Sequence, residues 1–181
     1  RDNKLNMTVC CRSNDMLWGA YGANVVHMSI LQEYVATMVE VEIGEYRQVS
    51  DSFHIYLNPT WDKVKDLSIN PYTFRHFNNP YDRIEHKHTP LITDPEVFEW
   101  ELKRFFTIPP NDFDLHLDGW ANPAFKDIAV PMMRAYTLHK EKKYSVYEAL
   151  NDIKPVDWQT ACFDWIRKRD KAYNKADKED S

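Results

Sequence analysis

The sequence predicts an α/β (α+β) fold, in which a strand, a long apolar helix and a second strand precede a helical final third. Three observations support this. Residues 4–12 alternate apolar and polar side chains, which is the period of a half-buried strand. Residues 18–39 repeat apolar side chains every three or four positions, which is the period of a helix. From residue 94 onward, helical segments with start signals follow one another.

The first strand, residues 4–12, places its apolar side chains on one face, because successive side chains of a strand point to opposite faces. The helix over residues 18–39 is apolar on more than one face, so we expect a buried central helix. Its apolar stripe is carried by Met28, Leu31, Val35 and Met38, widened by Ile30 and Tyr34.

A second strand is predicted over residues 46–57, rich in β-branched and aromatic side chains and stopped by Asn58-Pro59. Prolines recur over residues 59–93, which predicts loops. Asp94 followed by Pro95 predicts a capped helix start.

Another helix is predicted to begin at Asn122 and to kink at Pro131. We therefore divide the chain into residues 1–92, the strand–helix–strand domain, and residues 93–181, a helical C-terminal extension.

Composition excludes several function classes. The 181 residues contain 23 basic and 28 acidic side chains, a net charge of −5, without a long Lys/Arg cluster, so general nucleic-acid binding is not expected. No run of about 18 apolar residues predicts a membrane span. Three cysteines fit a reducing, cytoplasmic location better than a disulfide framework. The chain begins with Arg1 rather than Met and leads directly into a predicted strand, so we expect an upstream part of the parent protein.

The segment "CRSNDMLWGAYGAN" leads from the first strand into the helix and contains two of the four glycines of the chain. Arg12 offers a bidentate fork for phosphate and Ser13 a hydroxyl, beside a helix N-terminus that favours anions. Asp15 and Asn24 offer acceptors and donors for the edge of a heterocycle. Gly19 allows a flat ligand against the backbone.

A purely structural alternative remains for the same segment. Asp15 or Asn14 could be the N-cap of the helix, with Arg12 a surface residue. A second candidate pair is His54 and Tyr56, two apart on a strand and therefore on one face, where both could hydrogen-bond a hydroxyl-bearing ligand. The alternative for this pair is a satisfied, half-buried contact.

The order of a strand, "CRSND", "WGAYGAN", the helix and "SFHIY" resembles the C-terminal half of thymidylate synthase and of the related phage deoxycytidylate hydroxymethylases. These share an Arg-Ser-x-Asp run, a Gly before an Asn or Asp, and a later x-His-x-Tyr. The resemblance covers residues 1–60 and implies a thymidylate synthase-like mixed sheet with a buried central helix. The helical extension departs from the short C-terminal tail of that family.

The resemblance implies a role for each matching residue. Arg12 and Ser13 would bind the 5′-phosphate of the nucleotide, and His54 and Tyr56 the 3′-hydroxyl of deoxyribose. Asp15 would hold the pterin ring of the folate cofactor, 5,10-methylenetetrahydrofolate. Gly19 would lie beside that ring.

Asn24 matches the residue that selects the base. A carboxamide offers one acceptor and one donor to O4 and N3–H of uracil, whereas an Asp favours cytosine, so Asn24 implies deoxyuridylate. Ungapped counting from Arg12 places this column on Ala23. The interval from Arg12 to His54 is also one residue longer than usual in the family, and one inserted residue in "GAYGA" restores both matches on Asn24.

The implied reaction is transfer of a one-carbon unit to C5 of deoxyuridylate, after an enzyme cysteine adds to C6 and forms an enolate that Asn24 helps to stabilise. In the family this cysteine lies roughly twenty residues before the Arg of Arg-Ser-x-Asp. Only eleven residues precede Arg12, so the nucleophile is expected upstream. Cys10 and Cys11 are interpreted as strand packing residues and Cys162 as a buried helix residue.

Three functions stay open at this point. The first is a phage-like thymidylate synthase homologue that methylates deoxyuridylate and is inactive as the fragment alone. The resemblance implies that this homologue is a homodimer. The second is hydroxymethylation of deoxyuridylate or deoxycytidylate, in which water rather than hydride captures the methylene. The third is a non-catalytic nucleotide-binding or assembly module. No metal is expected, since His86 and His88 with Glu85 supply at most the start of a site.

Overall fold

Two parallel strands joined by a helical crossover form the N-terminal part of the protein. In a computed structural model of the chain, the structure describes residues 2–57, 89–143 and 145–170. Strand β1 (Lys4–Asp15) pairs in parallel with β2 (Glu42–His54). Between them lie a π-helical segment (Met16–Ala23) and helix α1 (Asn24–Met38). This arrangement confirms the α/β class, because parallel neighbours need such a crossover.

The chain divides into two compact units, residues 1–79 and 80–181. The division at residues 92 and 93 stays a prediction. The interpretation of residues 59–93 as loops falls largely on residues 58–88, as does the "IEHKH" stretch, and these lie outside the described residues.

β1 shows the predicted alternation over most of its length. Leu5, Met7, Val9 and Cys11 are half-buried, and the residues between them are exposed. β2 begins at Glu42, four residues before the predicted start, and its side chains alternate in the same way. The half-buried strand over residues 4–12 is therefore confirmed.

An irregularity near the start of the sheet explains a buried polar side chain on α1. The register of the two strands shifts between Leu5 and Met7. Asn6 Oδ1 accepts a hydrogen bond of 2.8 Å from the Glu45 N–H, and Gln32 Nε2 donates to the Leu5 carbonyl at 2.8 Å and to the Glu45 carbonyl at 3.3 Å. The buried Gln32 side chain thus donates to backbone carbonyls of both strands at the irregularity.

α1 is buried along one side only. Leu31 and Met38 of its predicted apolar stripe are 44% and 52% exposed, whereas Gln32, Glu33 and Ala36 are buried. Among the described residues, α1 packs against β1, β2 and the π-helical segment. Only the side of α1 that faces these elements is therefore buried. Within the described residues, α1 is therefore less buried than the central helix that the sequence predicts.

The second unit is helical. It contains α2 (Pro95–Thr107), a 3-10 turn (Pro110–Leu115), a π-helical turn (Ala124–Ala129), α3 (Val130–Lys140), α4 (Val146–Leu150) and α5 (Val156–Arg167). No helix in the described ranges is both long and apolar enough to cross a membrane.

Helix α2 begins where the sequence predicts. Asp94 accepts hydrogen bonds from the N–H groups of Glu96 at 2.9 Å and Val97 at 3.1 Å, and Pro95 is the first helical residue. At the predicted kink, the winding changes from π to α at Val130, one residue before Pro131. Proline is tolerated there because the first turn of a helix needs no N–H donor from it.

Two apolar clusters hold the helical unit together. Aromatic residues dominate the first, which packs α2 against the segment that leads into α3. Aliphatic residues dominate the second, which joins α3, α4 and α5. The buried members are Phe113, Trp120, Phe125 and Val130 in the first, and Ala135, Leu138, Val146, Ala149, Leu150, Ile153 and Ile166 in the second.

Candidate functional site

The carboxyl ends of β1 and β2 bring several predicted site residues to one edge. Ser13 pairs with Ser52 in the strand register, and Asp15 pairs with His54. The π-helical segment starts directly after Asp15, so a helix N-terminus lies at the same edge. Ligands of α/β folds bind at this kind of edge, beyond the carboxyl ends of parallel strands.

Asp15 connects both strands to the helical segment through backbone N–H groups. Its Oδ1 accepts hydrogen bonds from Leu17 at 3.0 Å and Trp18 at 2.6 Å, and its Oδ2 accepts one from Tyr56 at 3.2 Å. The N-cap alternative for Asp15 is therefore confirmed. These bonds, that from Trp18 foremost, with a smaller contribution from the charge of His54, hold the pKa of Asp15 below its usual 3.8. The carboxylate stays ionised, and Oδ2 keeps a lone pair for a ligand donor.

Asn24 is held by a side chain to which the sequence analysis assigned no ligand role. Asn24 Nδ2 donates a hydrogen bond of 3.0 Å to Oδ1 of Asn14, and Asn14 Nδ2 donates one of 3.0 Å to Oγ of Ser50. Asn14 is 1% exposed. The only sequence signal for this role was its place inside the Arg-Ser-x-Asp run. The three side chains form a polar chain from β2 through β1 to the first residue of α1.

Gly19 makes room for this polar chain. A Cβ at position 19 would lie 2.2 Å from Asn14 Oδ1 and 3.0 Å from Asn24 Nδ2. Real Cβ atoms do not approach other atoms at 2.2 Å, so a larger residue would displace the Asn14 amide. Close packing against Asn14 and Asn24 thus explains why position 19 is a glycine. Its place beside the pterin ring stays a prediction.

The helical winding bears on the choice between Ala23 and Asn24. The backbone N–H of Asn24 donates to the carbonyl of Gly19, five residues earlier, which is π-helical winding. A π turn spans one residue more than an α turn, so it can accommodate a single inserted residue. At Gly22 the backbone leaves helical geometry, with φ −121° and ψ −124°. The winding is thus compatible with one inserted residue in this segment, and the assignment of Asn24 as the base-selecting residue stays a prediction.

His54 and Tyr56 lie on one side, as predicted. Their ring centroids are 5.2 Å apart with planes at 80°, an edge-to-face contact. His54 is the last residue of β2 and half-buried, whereas Tyr56 follows the strand and is 56% exposed. Asp15 holds the backbone N–H of Tyr56, so the pair is anchored at the strand ends.

Arg12 and Ser13 are exposed at the end of β1, where the alternation of burial stops and both Asn14 and Asp15 are buried. Within the described ranges, no carboxylate forms an ion pair with the Arg12 guanidinium and no hydrogen bond joins it to Asn24. The predicted grip of Arg12 and Asn24 on opposite ends of one nucleotide therefore stays a prediction.

The three cysteines are unpaired thiols. Cys10 is exposed, and Cys11 and Cys162 are half-buried. Burial raises the pKa of the Cys162 thiol, so it is protonated at neutral pH. In the part of the chain that the structure describes, no three His, Cys, Asp or Glu residues form a group able to hold a metal ion.

Comparison with known proteins identifies the family. Residues 1–115 match the thymidylate synthase family. The chain is 41% identical to a deoxyuridylate hydroxymethyltransferase of Pseudomonas phage M6, over 95% of this chain and 50% of that protein. It is 42% identical over 66 residues to a deoxyuridylate hydroxymethyltransferase of Bacillus phage SP01, which is 36% of this chain and 17% of that protein.

A putative thymidylate synthase of Methanosarcina mazei is 45% identical over 67 residues, covering 37% of this chain and 30% of that protein. No solved structure matches the chain. The chain spans about half the length, or less, of these curated relatives. Since the family match covers residues 1–115 and contains the Arg-Ser-x-Asp and x-His-x-Tyr motifs, the chain belongs to the thymidylate synthase family.

Proposed function

We propose that the full-length protein transfers a one-carbon unit to C5 of deoxyuridylate, and that this chain binds and orients the nucleotide. The observation that carries this proposal is the Asn24 carboxamide, held by Asn14 at the carboxyl edge of two parallel strands. Arg12 and Asp15 on β1 and His54 at the end of β2 carry groups suited to the other parts of a nucleotide and to a folate. The expected homodimer and cytoplasmic location remain predictions.

The base contact follows from the donors and acceptors of one amide. A carboxamide has one carbonyl and two N–H groups. Asn24 uses one N–H toward Asn14, and this is its side-chain hydrogen bond within the described residues. One N–H and the carbonyl remain, which complement O4 and N3–H of uracil. Cytosine presents a donor at position 4 and an acceptor at N3, so it would meet like groups.

The phosphate and sugar contacts use exposed groups at the same edge. The Arg12 guanidinium can form two parallel hydrogen bonds to phosphate oxygens, and Ser13 adds a hydroxyl donor. His54 and Tyr56 contact each other edge to face, so one sugar hydroxyl can reach both.

The residues at this edge also fit the folate cofactor. Asp15 is ionised at neutral pH and keeps a lone pair on Oδ2, which suits the N–H donors of a pterin ring. When bound, 5,10-methylenetetrahydrofolate supplies the one-carbon unit. Gly19 is buried and has no side chain, so any contribution of this residue to the cofactor comes from its backbone.

The covalent step needs a thiolate that adds to C6 of the base. Cys10 and Cys11 immediately precede Arg12 on β1, and we do not assign them this role. We place the nucleophile in the part of the full-length protein that precedes this chain, where the resemblance expects it.

For the product we favour 5-hydroxymethyldeoxyuridylate over thymidylate. The similarity to the deoxyuridylate hydroxymethyltransferase of Pseudomonas phage M6 extends over 95% of this chain, whereas that to the archaeal putative thymidylate synthase covers 37%. The methylation reaction stays the second candidate, and it requires a hydride in place of water at the last step.

Calorimetry on the full-length protein tests the nucleotide site. We expect Arg12→Ala to weaken deoxyuridylate binding about 10- to 100-fold, since hydrogen bonds to charged groups contribute about 1.5–3 kcal/mol. Deoxyuridine, which lacks the phosphate, should bind both proteins equally. Arg47→Ala is the matched control, because Arg47 is an exposed arginine of β2 that pairs with Glu45. Equal affinity of Arg12→Ala and wild type for deoxyuridylate would remove Arg12 from the phosphate site.

A product assay tests the reaction. The full-length protein is incubated with deoxyuridylate and 5,10-methylenetetrahydrofolate, and the nucleotide is analysed by mass spectrometry. A hydroxymethyl product supports our first candidate, and a methyl product, one oxygen lighter, supports the second. Binding without turnover would indicate the non-catalytic module.

A further inference from the structure

In the polar chain formed by Ser50, Asn14 and Asn24, the middle residue Asn14 has no predicted contact with a ligand. It is nevertheless buried, with only 1% of its surface exposed. Oδ1 of Asn14 accepts a hydrogen bond from Nδ2 of Asn24, and Nδ2 of Asn14 donates one to the Ser50 hydroxyl, each at 3.0 Å. A buried amide makes such bonds because leaving its polar atoms unpaired is costly. The same bonds orient the neighbour.

Orientation matters at Asn24 because an amide is nearly symmetric in shape. Rotation by half a turn about its last bond exchanges the carbonyl oxygen and the NH2 group. In one orientation the free groups complement uracil, and in the other they complement cytosine. An asparagine with no fixed neighbour would therefore discriminate poorly between the two bases.

From this geometry we propose that Asn14 is a positioning residue that sets the choice of base by fixing the Asn24 amide. This inference rests on the proposed function. Asn14 presents its carbonyl oxygen to Asn24, and a carbonyl oxygen accepts hydrogen bonds only, so Asn24 must turn its NH2 group toward it. Ser50 holds the other end of Asn14, and the absent side chain of Gly19 leaves space for Oδ1.

Two substitutions of nearly equal size separate this role from simple packing. Asp at position 14 has oxygens in place of both amide atoms, so it can still accept from Asn24 and can accept from the Ser50 hydroxyl. Leu fills the space but offers no hydrogen bond. We therefore expect Asn14→Asp to keep the preference for deoxyuridylate over deoxycytidylate, and Asn14→Leu to lower it.

The measurement is the dissociation constant for deoxycytidylate divided by that for deoxyuridylate, by calorimetry on the full-length protein. We expect Asn14→Leu to reduce this ratio about tenfold, which corresponds to the free energy of one hydrogen bond. Asn14→Asp should change the ratio less than about threefold. A purely structural role would weaken the binding of both nucleotides alike and leave the ratio unchanged, which would overturn the inference. An equal drop for Asp and Leu would overturn it too.

Ser50→Ala provides a second route if Asn14→Leu does not fold, which a thermal melt would show. It removes one hydroxyl and releases the far end of Asn14, so the ratio should fall, though less than for Asn14→Leu; an unchanged ratio contradicts the inference. If wild type binds deoxyuridylate with no preference over deoxycytidylate, the proposed base contact of Asn24 fails together with this inference. If wild type discriminates and Asn14→Leu does so equally, only the role of Asn14 fails.

Discussion

Replacing Gly19 with alanine adds one methyl group at the most crowded point of the site. The new Cβ would lie 2.2 Å from Asn14 Oδ1, whereas ordinary van der Waals contact begins at 3.4 Å. Asn14 would have to move by about 1 Å, which breaks or strains its 3.0 Å hydrogen bonds to Asn24 and Ser50. Gly19→Ala therefore perturbs stability and base selection together.

The size of the effect follows from three contributions. Each lost hydrogen bond costs about 1 kcal/mol, and overpacking a dense site costs about 1–3 kcal/mol. Alanine recovers about 1 kcal/mol relative to glycine in a helical segment. We expect the free energy of unfolding to fall by about 2–4 kcal/mol, a large part of the stability of a typical domain.

Urea denaturation measures the free energy of unfolding, and calorimetry measures the preference for deoxyuridylate over deoxycytidylate. Gly22→Ala is the control: its Cβ would lie 2.5 Å from the backbone oxygen of Leu17, away from the two amides. It should lower stability and leave the preference intact. A Gly19→Ala protein within about 0.5 kcal/mol of wild type, the range of neutral surface changes, would refute the packing argument.

Three further outcomes are expected. Asn24→Asp should shift binding from deoxyuridylate toward deoxycytidylate in calorimetry, because a carboxylate offers acceptors to the N4 donor of cytosine; an unchanged preference would return the selector position to Ala23. For Asp15, whose folded pKa lies below the usual 3.8, the carboxylate stabilises the fold above that pH and loses this contribution as pH falls through the folded pKa. The difference in unfolding free energy between wild type and Asp15→Asn should thus vanish in acid titration, and a constant difference would contradict this. Glu101→Ala should destabilise the helical unit by about 2–4 kcal/mol in urea denaturation, because Glu101 is buried and accepts the N–H groups of residues 121 and 122 at 2.5 and 3.0 Å; Glu101→Gln keeps one acceptor and should lose less.

Local patterns predicted the elements that depend on neighbours in the chain. The alternation over residues 4–12 predicted β1, and Asp94-Pro95 predicted the start of α2, because a cap satisfies N–H groups only two or three residues away. The N-cap role of Asp15 was visible for the same reason. These contacts join residues close together in the chain, so they can be predicted from the local sequence.

Other features depended on residues far apart in the chain. Asn14 bonds to Ser50 of β2, 36 positions away in the chain. Gln32 donates a hydrogen bond to the carbonyl of Leu5, 27 positions away, at the irregularity of the sheet. No local period indicates such pairs. The exposure of Leu31 had the same origin, since an apolar helix is buried only where other elements cover it.

The order of residues alone determined the family motifs, the α/β class and which side chains could serve a nucleotide, since chemical type and spacing are properties of the chain. Only the tertiary structure decided which amide holds Asn24 and why position 19 must be glycine. Parallel pairing brings the ends of β1 and β2 together, and the π-helical segment returns Asn24 to them. Donor and acceptor directions at a site are set by these through-space neighbours, which sequence spacing does not encode.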